Sequence, residues 1–586
     1  MEGLWHLLIL GLACHFLSCS GVLGAKIIGT PQQCRRARFV PGHNLAGEGF
    51  DIVKMQQKNA YVINMQIWKR PNGTCTLIRN SYLGGILQKL PLAAVNWRAL
   101  SKCKMSVSSK IYESSESLVN DSTSSVSNNW KIGLSFPVKP GVSVGVAFGG
   151  THSREASYAM RKSRKDKYSF TSHEVHCSFY RYRVAASVPL HREFRRATRK
   201  LPKYYNYRTK AAYQDLIDTY GTHYIRKVEL GGKMKSITAI RTCKATMSGL
   251  TDTAVKDCLD VEASATFGYS ASLRAEYHRC QALKRKLGTS SSFSSMFRER
   301  QNQMVGGKIN RPDLLFSGGS NRYAYHEWLK SLKTIPSVVS YSLRPLHWLI
   351  KHNNPVRAGL KKAIEEYIGK NALVQRCSGS CRIGRRTSAR DCCACVCYSN
   401  ANIRSNCCPA GVGLATLRVY GLKGRKLYGD RFTQTDGSVR VSYGSQIKRT
   451  EVINNNDNPN WPETFYFGPV KLTMGTRINF DVYDADSRWN SDHLGSCSFR
   501  PRRGTISDTC MFKYGTFFFS YRVTCAPSLG GQYCQHYIPS PMSTSLAKKF
   551  HSRNGFLAGE RWKELLGRNH SVSFDHSFNL EGHSGE

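Results

Sequence analysis

Acidic residues are scarce in this 586-residue chain. Asp and Glu number 39 against 85 Lys and Arg, which gives a formal net charge of +46. A field of this sign attracts anionic surfaces such as acidic lipid head groups, nucleic acid or a polyanionic storage matrix. Composition alone does not choose among these three partners.

Three further features are missing from the sequence. No segment beyond the N-terminal residues has about 18 consecutive apolar residues, so no transmembrane helix is predicted and we expect a protein made in soluble form. No Gly-x-Ser-x-Gly or His-Glu-x-x-His string occurs, so we expect no enzyme and keep a secreted hydrolase as a minor alternative. No repeat of solenoid type is present.

The N-terminal residues predict secretion. An apolar run from Leu4 to Leu17 is followed by small residues, which indicates a signal peptide over residues 1–24, with a short membrane anchor as the alternative. Secretion argues against a nucleic-acid partner and predicts that the cysteines form disulfides. Three sequons predict glycosylation at Asn72, Asn120 and Asn569.

Four regions follow the signal peptide. Residues 25–375 mix short strands and helices without a Pro/Gly linker, which predicts one large α+β domain. Residues 376–410 are rich in cysteine. Residues 411–535 show a series of short strand patterns separated by turn signals, which predicts an all-β domain. Residues 536–586 are rich in Ser, His, Gly and Pro. We expect the last region to be mostly disordered, with a docked helix around residues 556–566 as the alternative.

A helix–turn–strand string marks the middle of the large domain. Tyr213 and Tyr220 begin and end one apolar helix face, Gly221 ends the helix, and a strand follows from Tyr224 up to Gly231 and Gly232. With Thr222 and His223 included, the string resembles the signature of the membrane attack complex/perforin (MACPF) family of pore-forming proteins. The resemblance implies a bent central sheet with flanking helical clusters, a fold shared with the cholesterol-dependent cytolysins.

These signature residues are expected to form scaffold and hinge. Packing is favoured over a pH-responsive role for His223. Gly231 and Gly232 are candidate hinge residues, with an ordinary strand-end turn as an equal alternative.

Two segments alternate apolar and polar residues with period two. In residues 131–149 the apolar residues occupy even positions, and in residues 260–274 they occupy odd positions. Both segments are predicted to be strands with one apolar face, and each is followed by a basic, helix-compatible stretch. The family resemblance implies that residues 131–184 and 260–297 become membrane hairpins of a β-barrel; static, half-buried strands are the alternative.

The β-domain resembles a C2 domain, a sandwich that binds membranes through calcium. The resemblance implies a calcium site of clustered loop carboxylates, which supply the oxygen ligands that calcium prefers. The predicted ligands are Asp430, Asp436, Asp484, Asp486 and Asp492. Asn490 and Ser491 stand where similar loops often carry further acids, which leaves the number of ions open. Tyr428, Phe432 and Trp489 lie among these loops and are candidate membrane contacts, with ordinary packing as an equal alternative.

The cysteine-dense module has spacing similar to an EGF-like domain, and a zinc cluster is the minor alternative. The resemblance implies the pairs Cys377–Cys393, Cys381–Cys395 and Cys397–Cys407. Further candidate pairs are Cys243–Cys408, Cys497–Cys510, Cys525–Cys534, Cys34–Cys75 and Cys103–Cys177. A Cys258–Cys280 pair would clamp the second hairpin segment and oppose its release, and Cys392 remains unpaired.

The order of pore domain, EGF-like module and C2 domain implies calcium-dependent binding to a target-cell bilayer, assembly of a large homo-oligomeric ring and cytolysis. By resemblance, the setting is lymphocyte cytotoxicity, with storage in a cytolytic granule, a polyanionic granule matrix and granzyme-like cargo. A non-lytic, calcium-dependent membrane-binding or adhesion protein on the same fold is the alternative.

Overall fold

The structure is a computed structural model of the chain. It describes residues 26–103, 107–113, 117–118, 121, 128–136, 146–267, 273–308, 313–317, 322–375, 381, 383–386, 395–429, 433–485, 491–539 and 556–558. Among these residues, no helix is both long enough and apolar enough to cross a membrane.

Twelve strands and ten helices are described in the large N-terminal domain. The strands are β1 (Lys26–Gly29), β2 (Glu48–Asp51), β3 (Gln56–Tyr61), β4 (Cys75–Asn80), β5 (Ile86–Lys89), β6 (Ala94–Cys103), β7 (Ser108–Tyr112), β8 (Val146–Ala147), β9 (Tyr168–Val184), β10 (His223–Arg241), β11 (Arg300–Val305) and β12 (Ser337–Pro345). The helices are α1 (Pro31–Arg36), α2 (Arg154–Ser163), α3 (Arg192–Lys200), α4 (Lys210–Tyr220), α5 (Thr242–Met247), α6 (Asp252–Ala265), α7 (Arg274–Lys286), α8 (Phe293–Met296), α9 (Arg322–Ser331) and α10 (Val356–Lys370).

An eight-stranded antiparallel sheet forms the centre of this domain. Its strand order is β3-β2-β10-β9-β6, with β11 and β12 paired to β10 and β7 paired to β9. The two longest strands, β9 and β10, have 17 and 19 residues and pair with each other along most of their length. Register shifts interrupt the β9–β10 and β10–β12 ladders, and such bulges bend a strand. The bent sheet of the predicted α+β fold is confirmed.

The main core packs helices against this sheet. Helix α10 buries Leu360, Ile364 and Ile368 on one face. The Tyr367 hydroxyl on the same helix donates a hydrogen bond to Asp51 Oδ2 (2.9 Å). The last helix of the domain is therefore tied to strand β2.

The cysteine-dense region and the tail contribute short strands. These are β13 (Leu373–Gln375), β14 (Arg385–Arg386) and β15 (Cys395–Val396), with β27 (Phe556–Ala558) near the C-terminus. Strand β13 lies between β8 and β27 in a three-stranded sheet. Residues 556–558 of the tail form a strand because an open edge of β13 supplies their backbone partners.

The C-terminal domain is a two-sheet antiparallel sandwich. Its strands are β16 (Leu414–Arg425), β17 (Gly437–Tyr443), β18 (Gln446–Arg449), β19 (Asn460–Trp461), β20 (Phe465–Lys471), β21 (Ile478–Asp484), β22 (Asp492–Phe499), β23 (Gly504–Met511) and β24 (Thr516–Cys525), followed by a small pair, β25 (Leu529–Gly530) and β26 (His536–Tyr537). Strict alternation in β17 and β21 buries one face of each strand. The predicted all-β sandwich is confirmed.

Candidate functional site

The signature string forms a tightly packed joint between α4 and β10. Tyr213 is fully buried, and its hydroxyl donates to the Pro202 carbonyl (2.7 Å). Tyr220 packs edge-on against Phe194, with 5.0 Å between the ring centroids. Tyr224 is buried on β10. None of these rings faces solvent, which agrees with the predicted scaffold role.

Gly221 ends helix α4 because its backbone takes a conformation that favours glycine. Its φ is +79°, and a Cβ built there would lie 2.5 Å from the Phe50 carbonyl oxygen. The same carbonyl oxygen accepts the Thr222 amide (2.9 Å). The position therefore demands glycine both for its φ and for the close approach of β2.

Replacing Gly221 with alanine should destabilise the domain by about 3 kcal/mol or more, since left-handed strain and overlap with β2 act together. Gly249 is the matched control: its φ is +74°, but no atom lies within 4 Å of a built Cβ. Gly249→Ala should cost only about 1 kcal/mol, the strain alone. Urea unfolding followed by tryptophan fluorescence measures both; equal losses would contradict a packing role for Gly221.

His223 is buried and neutral at the centre of the joint. Its Nε2 lies 2.9 Å from the Trp130 carbonyl oxygen and its Nδ1 lies 2.7 Å from Thr222 Oγ1. The carbonyl can only accept, so Nε2 carries the proton and Nδ1 accepts from the threonine hydroxyl. Burial lowers the pKa of His223 to about 3. Packing and hydrogen bonding explain this residue, as the sequence favoured.

Stability should fall as the pH drops below 6.5, because the unfolded chain binds a proton at His223 that the folded chain excludes until about pH 3. The loss between pH 6.5 and 5 should be about 2 kcal/mol. His223→Gln should reduce this change in the free energy of unfolding, as measured by urea unfolding at both pH values. The exposed His352 is the control, and its Gln variant should keep the wild-type slope; an unchanged slope in His223→Gln would contradict the assignment.

Gly231 and Gly232 lie inside β10 and do not end it. A Cβ at Gly231 would overlap the Cys177 carbonyl of β9, and one at Gly232 would press on Trp328 and Leu332. The β9–β10 register shifts between Leu230 and Gly231. The predicted end of the strand is therefore wrong: the glycines allow close packing at a bulge while the ladder continues to Arg241.

Two inserted segments leave the central sheet at one end. Cluster 1 (residues 113–167) connects β7 to β9, and cluster 2 (residues 242–299) connects β10 to β11. At that end Tyr112 pairs with Phe170, and Phe170 pairs with Ala239. The two clusters therefore interrupt neighbouring antiparallel strands at the same level.

Where the structure describes the two alternating segments, it forms only a small part of the predicted strands. Residues 128–131 form a 3-10 helix, residues 132–136 form no strand, residues 146–147 form the short strand β8, and residues 137–145 lie outside the described residues. Residues 260–265 belong to helix α6. The prediction fails at residues 260–265 because they continue a helix whose buried apolar face includes Val255, Cys258 and Leu259, and burial of that face selects the helix.

The basic, helix-compatible stretches after each segment are confirmed as helices. They form α2 in cluster 1 and α7 in cluster 2. Helical clusters flanking a bent sheet are what the family resemblance implies.

Polar contacts hold cluster 2 on the sheet. Asp260 of α6 accepts from the Ser109 hydroxyl of β7 (2.9 Å) and from Lys256 Nζ (2.6 Å). His173 Nε2 of β9 lies 3.3 Å from the other Asp260 oxygen. This carboxylate docks one helix onto two strands, a role that sequence spacing did not indicate.

Glu299 joins the two clusters at the sheet end. Its side chain pairs with Lys162 Nζ of α2 (2.7 Å) and with Arg241 of β10 (3.2 Å), and it accepts from the Tyr168 hydroxyl (3.0 Å). Its carbonyl accepts from the Tyr158 hydroxyl (2.7 Å). Partial burial opposes ionisation, yet the contacts with Lys162, Tyr168 and Arg241 hold the pKa of Glu299 below its usual value.

The disulfides of the described residues comprise seven of the predicted pairs and the Cys258–Cys280 pair, which the sequence left open. They are Cys34–Cys75, Cys103–Cys177, Cys243–Cys408, Cys258–Cys280, Cys381–Cys395, Cys397–Cys407, Cys497–Cys510 and Cys525–Cys534. Cys377, Cys392 and Cys393 lie outside the described residues. Among the predicted glycosylation sites, Asn72 is exposed in a turn, and Asn120 and Asn569 lie outside the described residues.

Predicted calcium ligands meet at one end of the C-terminal sandwich. Asp484 is buried at the end of β21, its Oδ1 accepts the Asp436 amide (2.7 Å), and its other oxygen lies against Gly429. Asp492 stands opposite Asp484 in the β21–β22 register. Asp436 Oδ1 accepts the Asn455 amide (2.7 Å). A backbone hydrogen bond thus holds Asp436 beside Asp484, and the strand register places Asp492 at the same end.

The oxygen-only donor set at this end suits calcium. Asp430 and Asp486 lie outside the described residues, and among the residues inside them no three His, Cys, Asp or Glu side chains are gathered closely enough to hold one ion. Asp457 is a further carboxylate at this end: its Oδ1 accepts the Thr435 amide (3.0 Å).

Aromatic side chains stand beside these loops. Tyr428 is half exposed, and its ring centroid lies 5.9 Å from that of Tyr514, which is equally exposed. Phe432 and Trp489 lie outside the described residues. Tyr514 comes from the β23–β24 connection and was missed, because its distance along the sequence gives no signal of this proximity.

Comparisons with known proteins agree with this architecture. The family model for the MAC/Perforin domain matches residues 40–377, the one for the Perforin-1-like EGF domain matches residues 376–410, and the one for the C2 domain matches residues 415–510. The chain belongs to the MAC/Perforin family. It is a pore-forming, membrane-binding cytolytic protein.

Among its relatives, the chain is similar to Perforin-1 from Homo sapiens, with 40% identity over 512 residues that cover 86% of this chain and 92% of that protein. It is 38% identical to Perforin-1 from Mus musculus, over 87% of this chain and 93% of that protein. Complement component C6 from Bos taurus is 29% identical over 260 residues, which cover 42% of this chain and 27% of that protein.

Proposed function

We propose that this protein docks on target-cell membranes through calcium bound at the C-terminal sandwich, assembles into a large homo-oligomeric ring, and inserts clusters 1 and 2 as β-hairpins of a barrel. One observation carries the proposal: both clusters interrupt neighbouring antiparallel strands at the same end of one sheet. If the clusters extend, each lengthens a strand pair that already exists. One chain then supplies four strands, so a closed barrel needs many chains.

Docking uses the loop carboxylates. Asp436, Asp484 and Asp492, together with Asp430 and Asp486, would hold calcium, which supplies positive charge that offsets their mutual repulsion. The loop aromatics Tyr428, Phe432 and Trp489 then enter the lipid interface, where amphipathic rings are favoured. The net charge of +46 adds attraction to acidic head groups.

The hinge and the setting complete the proposal. Gly231 and Gly232 give β10 the freedom to unbend as the clusters leave. The protein is secreted by way of residues 1–24 and stored in a cytolytic granule on a polyanionic matrix. Its pore admits granzyme-like cargo, and it acts without enzymatic chemistry.

Release of a trapped dye from liposomes tests the proposal. Leakage should require calcium and should rise steeply with protein concentration, because many chains share one pore. Calcium-dependent binding without leakage would overturn pore formation and leave a non-lytic membrane-binding protein. Leakage that is equal with and without calcium would overturn the docking step.

A further inference from the structure

The register of β10 and β11 leads to the disulfide of cluster 2. The two strands pair from Lys233 opposite Val305 to Thr238 opposite Arg300, without a shift. The Ala239 amide donates to the Glu299 carbonyl (2.8 Å), which continues the same register. Twenty residues farther along each strand from Thr238 and Arg300, Cys258 comes to stand opposite Cys280.

The bond between these cysteines fits both conformations. In the folded protein it joins α6 to α7 with a Cα–Cα distance of 5.5 Å. Directly opposed residues of an antiparallel pair have Cα atoms about 4.5–5.5 Å apart. We propose that the Cys258–Cys280 disulfide stays intact during insertion and becomes a cross-strand staple that sets the register of the second hairpin. The inference rests on the proposed insertion of cluster 2.

The side-chain pattern of cluster 2 agrees with this register. Odd-numbered residues of both arms share one face, where Val261 stands opposite Tyr277 and Ala265 opposite Leu273. Even-numbered residues share the other face, where Ser264 stands opposite Arg274. An apolar face toward lipid and a polar face toward water is what a barrel strand requires.

The alternating segment is also long enough for each arm to cross a bilayer. A barrel strand crosses the bilayer with about 9–11 residues. The alternation is uninterrupted over residues 260–278, about nine residues on each arm of the hairpin. It is first interrupted at the pairs Leu259–Arg279 and Asp257–Gln281, where polar residues occupy the apolar face. Cys258 and Cys280 lie between these two pairs and belong to the polar face. The staple therefore sits just outside the lipid, on the water side.

Cluster 1 has a matching arrangement. The β7–β9 register runs from Ser108 opposite Glu174 to Tyr112 opposite Phe170. Continued without a shift, it brings Leu134 opposite Phe148, two apolar residues of the alternating segment. The loop between Tyr112 and Phe170 has 57 residues, and the loop between the neighbouring Ala239 and Glu299 has 59. Extended hairpins would thus end within about one residue, or roughly 3.4 Å, of each other.

A misplaced disulfide tests the staple. Gln281 lines the same cavity of about 360 Å³ as Cys258 and Cys280, so a Cys280→Ser, Gln281→Cys variant can bond to Cys258 in the folded protein. In the hairpin, residue 281 lies on the opposite face, and this bond cannot be accommodated. Lysis by the oxidised variant should fall at least about tenfold, and reduction should restore it to within about twofold of wild type.

A second variant with a shifted disulfide is available if the first bond does not form. Cys280→Ser with Lys284→Cys keeps the thiol on the cavity side of α7, one helical turn along. In a strand the same shift of four residues is about 13 Å. Mass mapping confirms the bond in each variant before lysis is measured. Full lysis by either oxidised variant with the bond intact would overturn the proposed register.

The state of the native Cys258–Cys280 disulfide in the pore can also be measured directly. Unreduced wild type and the Cys258→Ser, Cys280→Ser variant should lyse liposomes within about twofold of each other, and peptides from extracted pores should contain the intact Cys258–Cys280 bond. Free, alkylated thiols in the pore, or lysis that rises tenfold in the Ser variant, would overturn the staple and make the bond a clamp.

Two fluorophore positions separate this inference from the proposed function. Ala275 and Arg274 are both exposed in the folded protein, and the register sends the first to lipid and the second to water. A lipid signal at Ala275→Cys with none at Arg274→Cys supports insertion. Leakage without a lipid signal at Ala275→Cys would overturn insertion of cluster 2 itself. A lipid signal together with a reduced disulfide would overturn the staple alone.

Discussion

Liposome binding should require far more calcium in the Asp484→Asn variant. Asp484 is buried where the Asp436 amide, Gly429 and the start of β22 meet, so its charge can be stabilised there only by its neighbours and by a cation. Asn keeps the size of the side chain and an oxygen to accept the Asp436 amide, and it removes the charge. The calcium concentration for half-maximal binding should rise by about 100-fold or more.

The control lies three residues earlier on the same strand. Asp481 is paired with Arg440 (3.1 Å) on β17, away from the loops. Asp481→Asn should therefore bind liposomes with wild-type calcium dependence, as measured by flotation over a calcium series. Wild-type behaviour of Asp484→Asn in the same assay would contradict the calcium site.

A disulfide that fastens cluster 2 to the sheet should abolish lysis and spare binding. Val175 of β9 and Ala263 of α6 are both fully buried in one small apolar cluster with Leu315. The Val175→Cys, Ala263→Cys variant, once oxidised, can fold and dock but cannot release α6. Dye release should fall at least about 20-fold and return on mild reduction, because only the bond opposes the change.

The two single-cysteine variants are the controls for this lock. Each carries one of the same core substitutions without the bond, so each should lyse like the reduced double variant. Ser109→Cys with Asp260→Cys offers a second site, since these side chains are already in contact. Lysis by an oxidised variant whose bond is verified would show that α6 does not leave the sheet.

Much of the fold could be predicted from local pattern. Gly221 after an apolar helix face identified the joint, because the spacing of Tyr213 and Tyr220 is purely helical. The alternation of apolar and polar residues identified the sandwich strands, since one face of each strand is buried and the other is more exposed to solvent. These features depend on near neighbours in the sequence.

The clusters could not be predicted in this way because their sequence carries two periodicities. Residues 260–265 carry the alternation of a strand and also continue the helix that begins before them, and only the surrounding core decides between the two. The contacts of Asp260 with Ser109 and His173 join residues far apart in sequence, and no local signal marks them. Continuation of β10 through Gly231 likewise depends on its neighbour β9.

Glu299 links the two clusters through an ion pair. It is the last residue of cluster 2, yet its closest cation, Lys162, belongs to cluster 1. If either cluster departs alone, the Lys162–Glu299 ion pair is broken, although Glu299 keeps its contact with Arg241 of β10 when cluster 1 leaves. Under the proposed insertion, the loss of this ion pair couples the two clusters, so departure of one should favour departure of the other.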